Sequence, residues 1–212
     1  MEITWYGHSC FRLRSRPVTV VTDPYGKDTG YVLPRVRADV VTISHDGPNH
    51  NHYRGISSKP YVVHGPGEYE IKGAFITGTR TFRDNKKGTE RGFNTIYLIQ
   101  MDDLRVCHLG DLAHIPSQAQ IETLSDVDIL LVPVGGKPTL SASQATEIIS
   151  LIEPSIVIPM HYKTPLTTVN LDPVNRFIQA MAIKMPEPLE TLTVRASKTP
   201  SETQVVILQP KQ

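Results

Sequence analysis

The segment Ala38-Asp39-Val40-Val41-Thr42-Ile43-Ser44-His45-Asp46-Gly47-Pro48-Asn49-His50 starts as an apolar run and ends in a polar turn that holds two histidines. The run predicts a strand over residues 38–44, because short stretches of β-branched residues bounded by Gly, Pro or Asp are typical of strands. His45 and His50 are therefore expected just beyond the end of a strand.

Two further stretches end in the same way. Asp111 ends Cys107-His108-Leu109-Gly110-Asp111, and His161 follows the apolar run Ile156-Val157-Ile158-Pro159-Met160. Side chains at the tips of strands converge on one rim of a sheet, which is a rigid place to hold a metal ion. The alternative interpretation is that these residues are polar groups that only cap loops.

Size and composition limit the possible functions. The 212 residues are enough for one large domain, 1–212, and few for two. The net charge of +1 gives no basic footprint for nucleic acid, and no apolar run of 18 residues could span a membrane. The first residues do not have the pattern of a signal peptide. With only two cysteines, the simplest compartment is the reducing cytoplasm.

The chain reads as many short strands, joined in its second half by helices. The predicted strands are 2–6, 10–14, 17–22, 38–44, 60–64, 73–78, 94–100, 104–108, 127–133, 155–160 and 204–208. The predicted helices are 117–124, 141–151 and 171–182. This pattern favours a sandwich of two sheets covered by helices.

Several of these stretches resemble the metallo-β-lactamase superfamily, and in particular its ascorbate-phosphate-lactonase-like branch of zinc-dependent hydrolases. The turn over residues 42–50 is similar to the superfamily motif His-x-His-x-Asp-His. The other matching stretches are 7–11, 22–24, 65–73, 107–112, 133–136 and 158–162, so that the resemblance extends from residue 1 to about residue 180. It implies an α/β (α+β) fold, a four-layer αββα sandwich with the site on the rim between the sheets.

The motif is incomplete in this chain. Gly47 stands where the family has a metal-binding histidine, and Asn49 stands where it has a metal-binding aspartate. A further family histidine is expected near residue 83, where this sequence has Arg83, which cannot ligate a metal. The resemblance therefore implies a degenerate metal site.

The family's ligands can be carried over residue by residue. One metal would use the first and third motif positions and the later histidine, and of these only His45 remains. The second metal would use the motif aspartate, the last motif histidine and the histidine of the final strand, and of these His50 and His161 remain. Asp111 matches the acid that contacts both metals. Because three protein ligands and a water suffice for catalytic zinc, we expect one ion of zinc or manganese or none, on His50, Asp111 and His161 with His45 nearby.

Three residues have roles that the sequence leaves open. In the family, the aspartate replaced by Asn49 also orients the nucleophile, and asparagine keeps its shape without its charge. Arg83 could compensate for a lost dication and bind a carboxylate or phosphate, or it could be an exposed arginine of a basic loop. His8 could contact substrate or orient a ligand, or it could be a structural residue at a strand end.

Two functions follow as hypotheses. The first is a metal-dependent hydrolase of an ester, lactone or phosphoester in a small anionic metabolite, with Asp111 and Asn49 catalytic and with Arg83 and His8 contacting substrate. The second is a catalytically degenerate relative that serves as a metal-free binding or interaction module. A homo-oligomer stays open, because the exposed edges of such sandwiches often pair.

Overall fold

Thirteen strands and three α-helices form the fold in a computed structural model that describes residues 1–212. The strands are β1 (Glu2–Gly7), β2 (Cys10–Ser15), β3 (Val18–Thr22), β4 (Val40–Ile43), β5 (Tyr61–His64), β6 (Gly67–Ile71), β7 (Ala74–Phe82), β8 (Phe93–Met101), β9 (Leu104–His108), β10 (Ile129–Pro133), β11 (Ile156–Met160), β12 (Leu192–Thr193) and β13 (Gln204–Val205). The helices are α1 (Gln118–Glu122), α2 (Ala142–Ile152) and α3 (Val174–Ala180). No helix has the length and apolar character needed to cross a membrane.

The strands assemble into two mixed sheets. One has the order β12-β1-β2-β3-β4-β5, and the other has the order β13-β11-β10-β9-β8-β7-β6. In the first sheet β2 is antiparallel to both β1 and β3, so β1 runs in the same direction as β3, β4 and β5. In the second sheet β9, β10, β11 and β13 are parallel. The carboxyl ends of these strands therefore share one edge of each sheet, where ligands bind in many α/β folds.

One apolar core joins the two sheets. Trp5 and Phe11 from the first sheet and Ile99 and Leu131 from the second are fully buried members of the same cluster. Helix α2 adds Ile148 on its buried side. The predicted α/β sandwich of two sheets is confirmed.

Two strands were not predicted, and several elements are shorter than predicted. The edge strand β6 is polar and largely exposed, and β12 is a two-residue pairing with β1. Neither carries the apolar run by which the buried strands were recognised. The last strand keeps only residues 204–205, and α3 begins after Pro173 rather than at 171.

Candidate metal centre

Five strands of the two sheets end in side chains that meet at one rim. His8 follows β1, Asp23 follows β3 and His45 lies just beyond β4, while Asp111 lies after β9 and His161 follows β11. His8, Asp23 and His161 have φ of 52°, 39° and 52°. This left-handed backbone costs roughly 1–2 kcal/mol for a non-glycine residue and is concentrated at functional positions.

Asp111 lies at the centre of the cluster and is only 2% exposed. Its Oδ1 is 3.4 Å from Nε2 of His50 and 3.5 Å from Nε2 of His161, while its Oδ2 is 3.7 Å from Nε2 of His45. Oδ1 accepts no hydrogen bond. Burial alone would raise the pKa of Asp111, but the surrounding histidines, His50 first, hold it well below its ordinary value. Asp111 is therefore a carboxylate with a free oxygen directed at two imidazoles.

Asp23 orients the His50 imidazole. Its buried carboxylate accepts hydrogen bonds from the backbone N–H of Ser44 at 2.7 Å, from Ser44 Oγ at 2.6 Å and from His50 Nδ1 at 2.8 Å. Because a carboxylate only accepts, Nδ1 of His50 carries the proton of this hydrogen bond, and in the neutral ring the lone pair is at Nε2. Carboxylate–imidazole pairs of this kind orient histidines that bind metals.

His8 lies beside His50 and His161. Its Nε2 is 3.1 Å from Nε2 of His50, and its ring centroid is 4.2 Å from that of His161. Burial lowers the pKa of His8 well below its ordinary value, and His161 and His50 lower it further. His8 is therefore neutral near pH 7, with a lone pair to donate.

Two overlapping groups can hold a metal ion. One consists of His8, His50 and His161, and the other consists of His45, His50 and Asp111; all of these residues are buried. The sequence placed His8 with the substrate, whereas the structure brings its ring into contact with two predicted ligands. The signal for this lies in its position directly after a strand that runs parallel to β3 and β4.

Arg83 points inward. Its side chain is 23% exposed, its Nη2 donates to Oδ2 of Asp111 at 3.4 Å, and its Nη1 donates to the carbonyl oxygen of Arg91 at 3.3 Å. The Arg83 side chain is therefore partly buried and paired with Asp111 rather than fully exposed on the loop. The guanidinium occupies the Oδ2 side of Asp111, which His45 also faces.

In the turn over residues 42–50, Gly47 and Asn49 supply no imidazole or carboxylate ligand for a metal. A Cβ built on Gly47 would lie 3.1 Å from Nε2 of His45. The Oδ1 of Asn49 is buried and has no hydrogen-bond partner. Burial, assisted by His50, lowers the pKa of His45 to about 3, so this imidazole is neutral at ordinary pH.

Two polar cavities meet at Arg83. The first, of about 340 Å³, is lined in part by His45, Arg80, Arg83 and Arg91. The second, of about 700 Å³, is lined in part by Arg83, Arg91 and Lys137. Arg91, which the sequence did not single out as a site residue, thus borders both cavities. Basic side chains outnumber the acidic ones that line the same cavities, Asp46 in the first and Asp84 and Glu90 in the second.

The loop over residues 84–92 is organised by a carboxylate. Asp84 accepts hydrogen bonds from the backbone N–H groups of Lys86, Gly88, Glu90 and Arg91. Burial would raise the pKa of Asp84, but these four donors bring it down to about 2. The Asp84 carboxylate therefore orders the loop that positions Arg83 and Arg91.

Comparisons with known proteins show the family of this chain. A family described as "Beta-lactamase superfamily domain" matches residues 2–161. A UPF0173 protein of Pyrococcus abyssi is 33% identical over 183 residues, which cover 77% of this chain and 84% of the relative. A UPF0173 metal-dependent hydrolase of Methanoculleus marisnigri is 28% identical, with 93% of this chain and 99% of the relative covered.

A solved structure gives the same result. A Thermotoga maritima protein, assigned to the zinc-dependent hydrolases of the metallo-β-lactamase superfamily, is 36% identical to this chain. It superposes with a TM-score of 0.81, and the match covers 98% of this chain and 97% of that protein. From the family match over most of its length and from these relatives, the chain belongs to the metallo-β-lactamase superfamily.

Proposed function

We propose that the chain is a metal-dependent hydrolase that holds one divalent ion and cleaves an ester, lactone or phosphoester of a small anionic metabolite. The observation that carries the proposal is the convergence of His50 and His161 on the free Oδ1 of Asp111. Imidazole nitrogen and carboxylate oxygen are the usual donors of catalytic zinc, and manganese accepts the same set. A buried acceptor without a donor calls for a cation, so these residues fit a metal ion.

The chain's own residues have separate parts in such a reaction. An ion bound here supplies a Lewis acid that polarises the substrate and makes water more acidic. Asp23 keeps the His50 ring in place through its hydrogen bond to Nδ1. The Oδ1 of Asn49 is an acceptor without a donor and can orient a water, although an amide cannot take its proton. Relatives that bear the name metal-dependent hydrolase support the reaction class.

The surroundings of Asp111 favour a single ion. The guanidinium of Arg83 lies 3.4 Å from Oδ2, where a second ion between Asp111 and His45 would have to bind. Two positive charges that close together repel strongly in a partly buried site. Gly47 and Asn49 offer no anionic or imidazole donor to offset this repulsion.

The same positive charge favours an anionic substrate. Arg83 and Arg91 line both cavities, with Arg80 on one side and Lys137 on the other. A guanidinium binds a carboxylate or phosphate through two parallel hydrogen bonds. Nε of Arg83 is buried and has no hydrogen-bond partner within the chain.

Metal content tests the proposal. Protein purified without a histidine tag and dialysed against trace zinc and manganese should hold one equivalent, which the Asp111→Ala and His161→Ala changes should remove. His52→Ala is the matched control, because His52 is exposed and belongs to neither ligand group.

The loaded protein and its Asp111→Ala variant are then compared on a panel of lactones and phosphoesters. Two tight equivalents would exclude the single-ion site, and loaded protein inactive on the whole panel would exclude the substrate class.

A metal-free binding module is the second candidate, favoured by Gly47, Asn49 and Arg83. In that case the wild-type chain holds no metal, and the triple change Gly47→His, Asn49→Asp and Arg83→His creates binding that the parent lacks. The backbone at Gly47 accepts a side chain if His45 shifts by a few tenths of an ångström, because the new Cβ would lie 3.1 Å from its Nε2.

A further inference from the structure

We infer that His8 is itself a metal ligand, so that the centre is a four-donor site of His8, His50, His161 and Asp111. This inference rests on the proposal that the chain binds one ion. It moves His8 from substrate contact to metal coordination, and it adds Asp111 to the group of His8, His50 and His161.

The spacing of the donor atoms supports this assignment. In a tetrahedral zinc site with bonds of about 2.05 Å, neighbouring ligand atoms lie about 3.3 Å apart. Nε2 of His8 and Nε2 of His50 are 3.1 Å apart, and Oδ1 of Asp111 is 3.4 Å from His50 and 3.5 Å from His161. These three distances agree with one shared ion, whereas His45 lies 3.7 Å from the other oxygen of Asp111.

The hydrogen bond between His50 and Asp23 leads to the same conclusion. A histidine that binds a metal is neutral, and in a neutral His50 the contact with Asp23 holds the proton on Nδ1 and leaves Nε2, which faces His8, to bind the ion. A proton on Nε2 of His8 would satisfy only the contact between this atom and Nε2 of His50. A cation would satisfy it and at the same time give the free Oδ1 of Asp111 a partner.

The two oxygens of Asp111 face different sides of the site. Oδ2 receives the guanidinium of Arg83, whose permanent charge opposes a dication on the His45 side. Oδ1 is free and faces the side of His50 and His161. The ion is therefore expected on the Oδ1 side, and there His8 supplies the donor that Asn49 does not.

The backbone holds His8 firmly in this position. The N–H of His161 donates to the carbonyl oxygen of His8 at 3.1 Å, which fixes two of the ligands relative to each other. His8 has φ of 52°, a conformation that asparagine tolerates better than most residues. His8→Asn therefore removes the imidazole with little disturbance of the fold.

The experiment compares metal affinity in the full chain for wild type, His8→Asn, His45→Asn and His52→Asn, by competition of Zn²⁺ and Co²⁺ against a chelator. Circular dichroism checks that each variant folds. We expect His8→Asn to weaken binding by about tenfold or more, on the scale seen when a residue that supports a metal centre is lost. His52→Asn, at an exposed residue outside both groups, should stay within about threefold of wild type, and His45→Asn should weaken binding less than His8→Asn does. His8→Cys gives a second readout, because a thiolate on Co²⁺ adds a charge-transfer band that the wild-type spectrum lacks.

The outcomes separate the inference from the proposed function. Wild-type binding that His8→Asn leaves unchanged, or a His8→Cys spectrum without a thiolate band, would overturn the role of His8 and leave the single-ion hydrolase standing. A large loss in His45→Asn with none in His8→Asn would assign the ion to the other group. A wild-type chain that binds neither ion would overturn both.

Discussion

Replacing Asp23 with asparagine should weaken metal binding while the chain stays folded. The Asp23 carboxylate accepts three hydrogen bonds, two from Ser44 and one from His50 Nδ1. An asparagine can accept through Oδ1 only, and its NH₂ group would face His50. His50 can satisfy that group only by moving its proton to Nε2, which removes the lone pair directed at the site.

The magnitude follows from the type of contact that is lost. Removing the partner that orients a metal-binding histidine costs 10- to 100-fold in affinity, or about 1.4–2.8 kcal/mol. The fold should lose about 1–3 kcal/mol as well, because a charge-assisted hydrogen bond in a buried site is broken. Asp23 has φ of 39°, which asparagine accepts, so no further backbone cost is expected.

The assay is a chelator competition with Zn²⁺ on wild type, Asp23→Asn and Asp39→Asn. Asp39 is a suitable control, because it is also a strand-adjacent aspartate that accepts a backbone N–H, here from Thr19, but it contacts no residue of the cluster. Affinity in Asp23→Asn within twofold of wild type would refute the idea that this carboxylate orients His50.

Three further predictions concern the loop, the rim and the core. The pKa of Asp84 is about 2 in the fold and about 3.9 in an unfolded chain, so its stabilisation is complete above about pH 5 and is lost as the pH falls through about 2. Asp84→Asn should flatten the free energy of unfolding against pH in that window, and an unchanged slope would contradict this. In Gly135→Ala the new Cβ would lie 2.0 Å from the carbonyl oxygen of His161, so thermal unfolding should show a loss of about 1–3 kcal/mol. Phe177→Ala should cost about 3–5 kcal/mol in guanidinium unfolding, against less than about 1 for the exposed Phe75→Ala, and equal losses would be evidence against this packing.

The sequence predicted the buried strands and the rim better than the edges. β4 and β11 were recognisable because they are buried and mostly apolar and because a histidine follows each of them. β6 was missed because an edge strand with one partner can be polar and exposed. Strand ends could be read from local pattern, whereas strand direction depends on pairings between distant segments.

The dependence on pairings between distant segments explains why the sequence did not predict the contacts of His8 and Arg83. His8 reaches the rim only because β2 reverses the chain between β1 and β3, so its neighbourhood with His50 is a product of sheet topology. Arg83 was balanced between a site residue and a loop residue, since neither charge nor spacing shows which way a side chain turns. The hydrogen bonds of its guanidinium to Asp111 and Arg91 could come only from the folded chain.

The hydrogen bond between His161 and His8 has a consequence for folding during synthesis. It ties the end of the first strand to the end of the eleventh, so the rim cannot close until nearly all of the chain has left the ribosome. His8 and His50 are synthesised early, but the other two proposed ligands, Asp111 and His161, are added much later. The proposed four-donor site therefore cannot form until both sheets have docked. Pulse-labelled hydrogen exchange during refolding should show the amide of His161 among the last to gain protection, and early protection there would contradict this order.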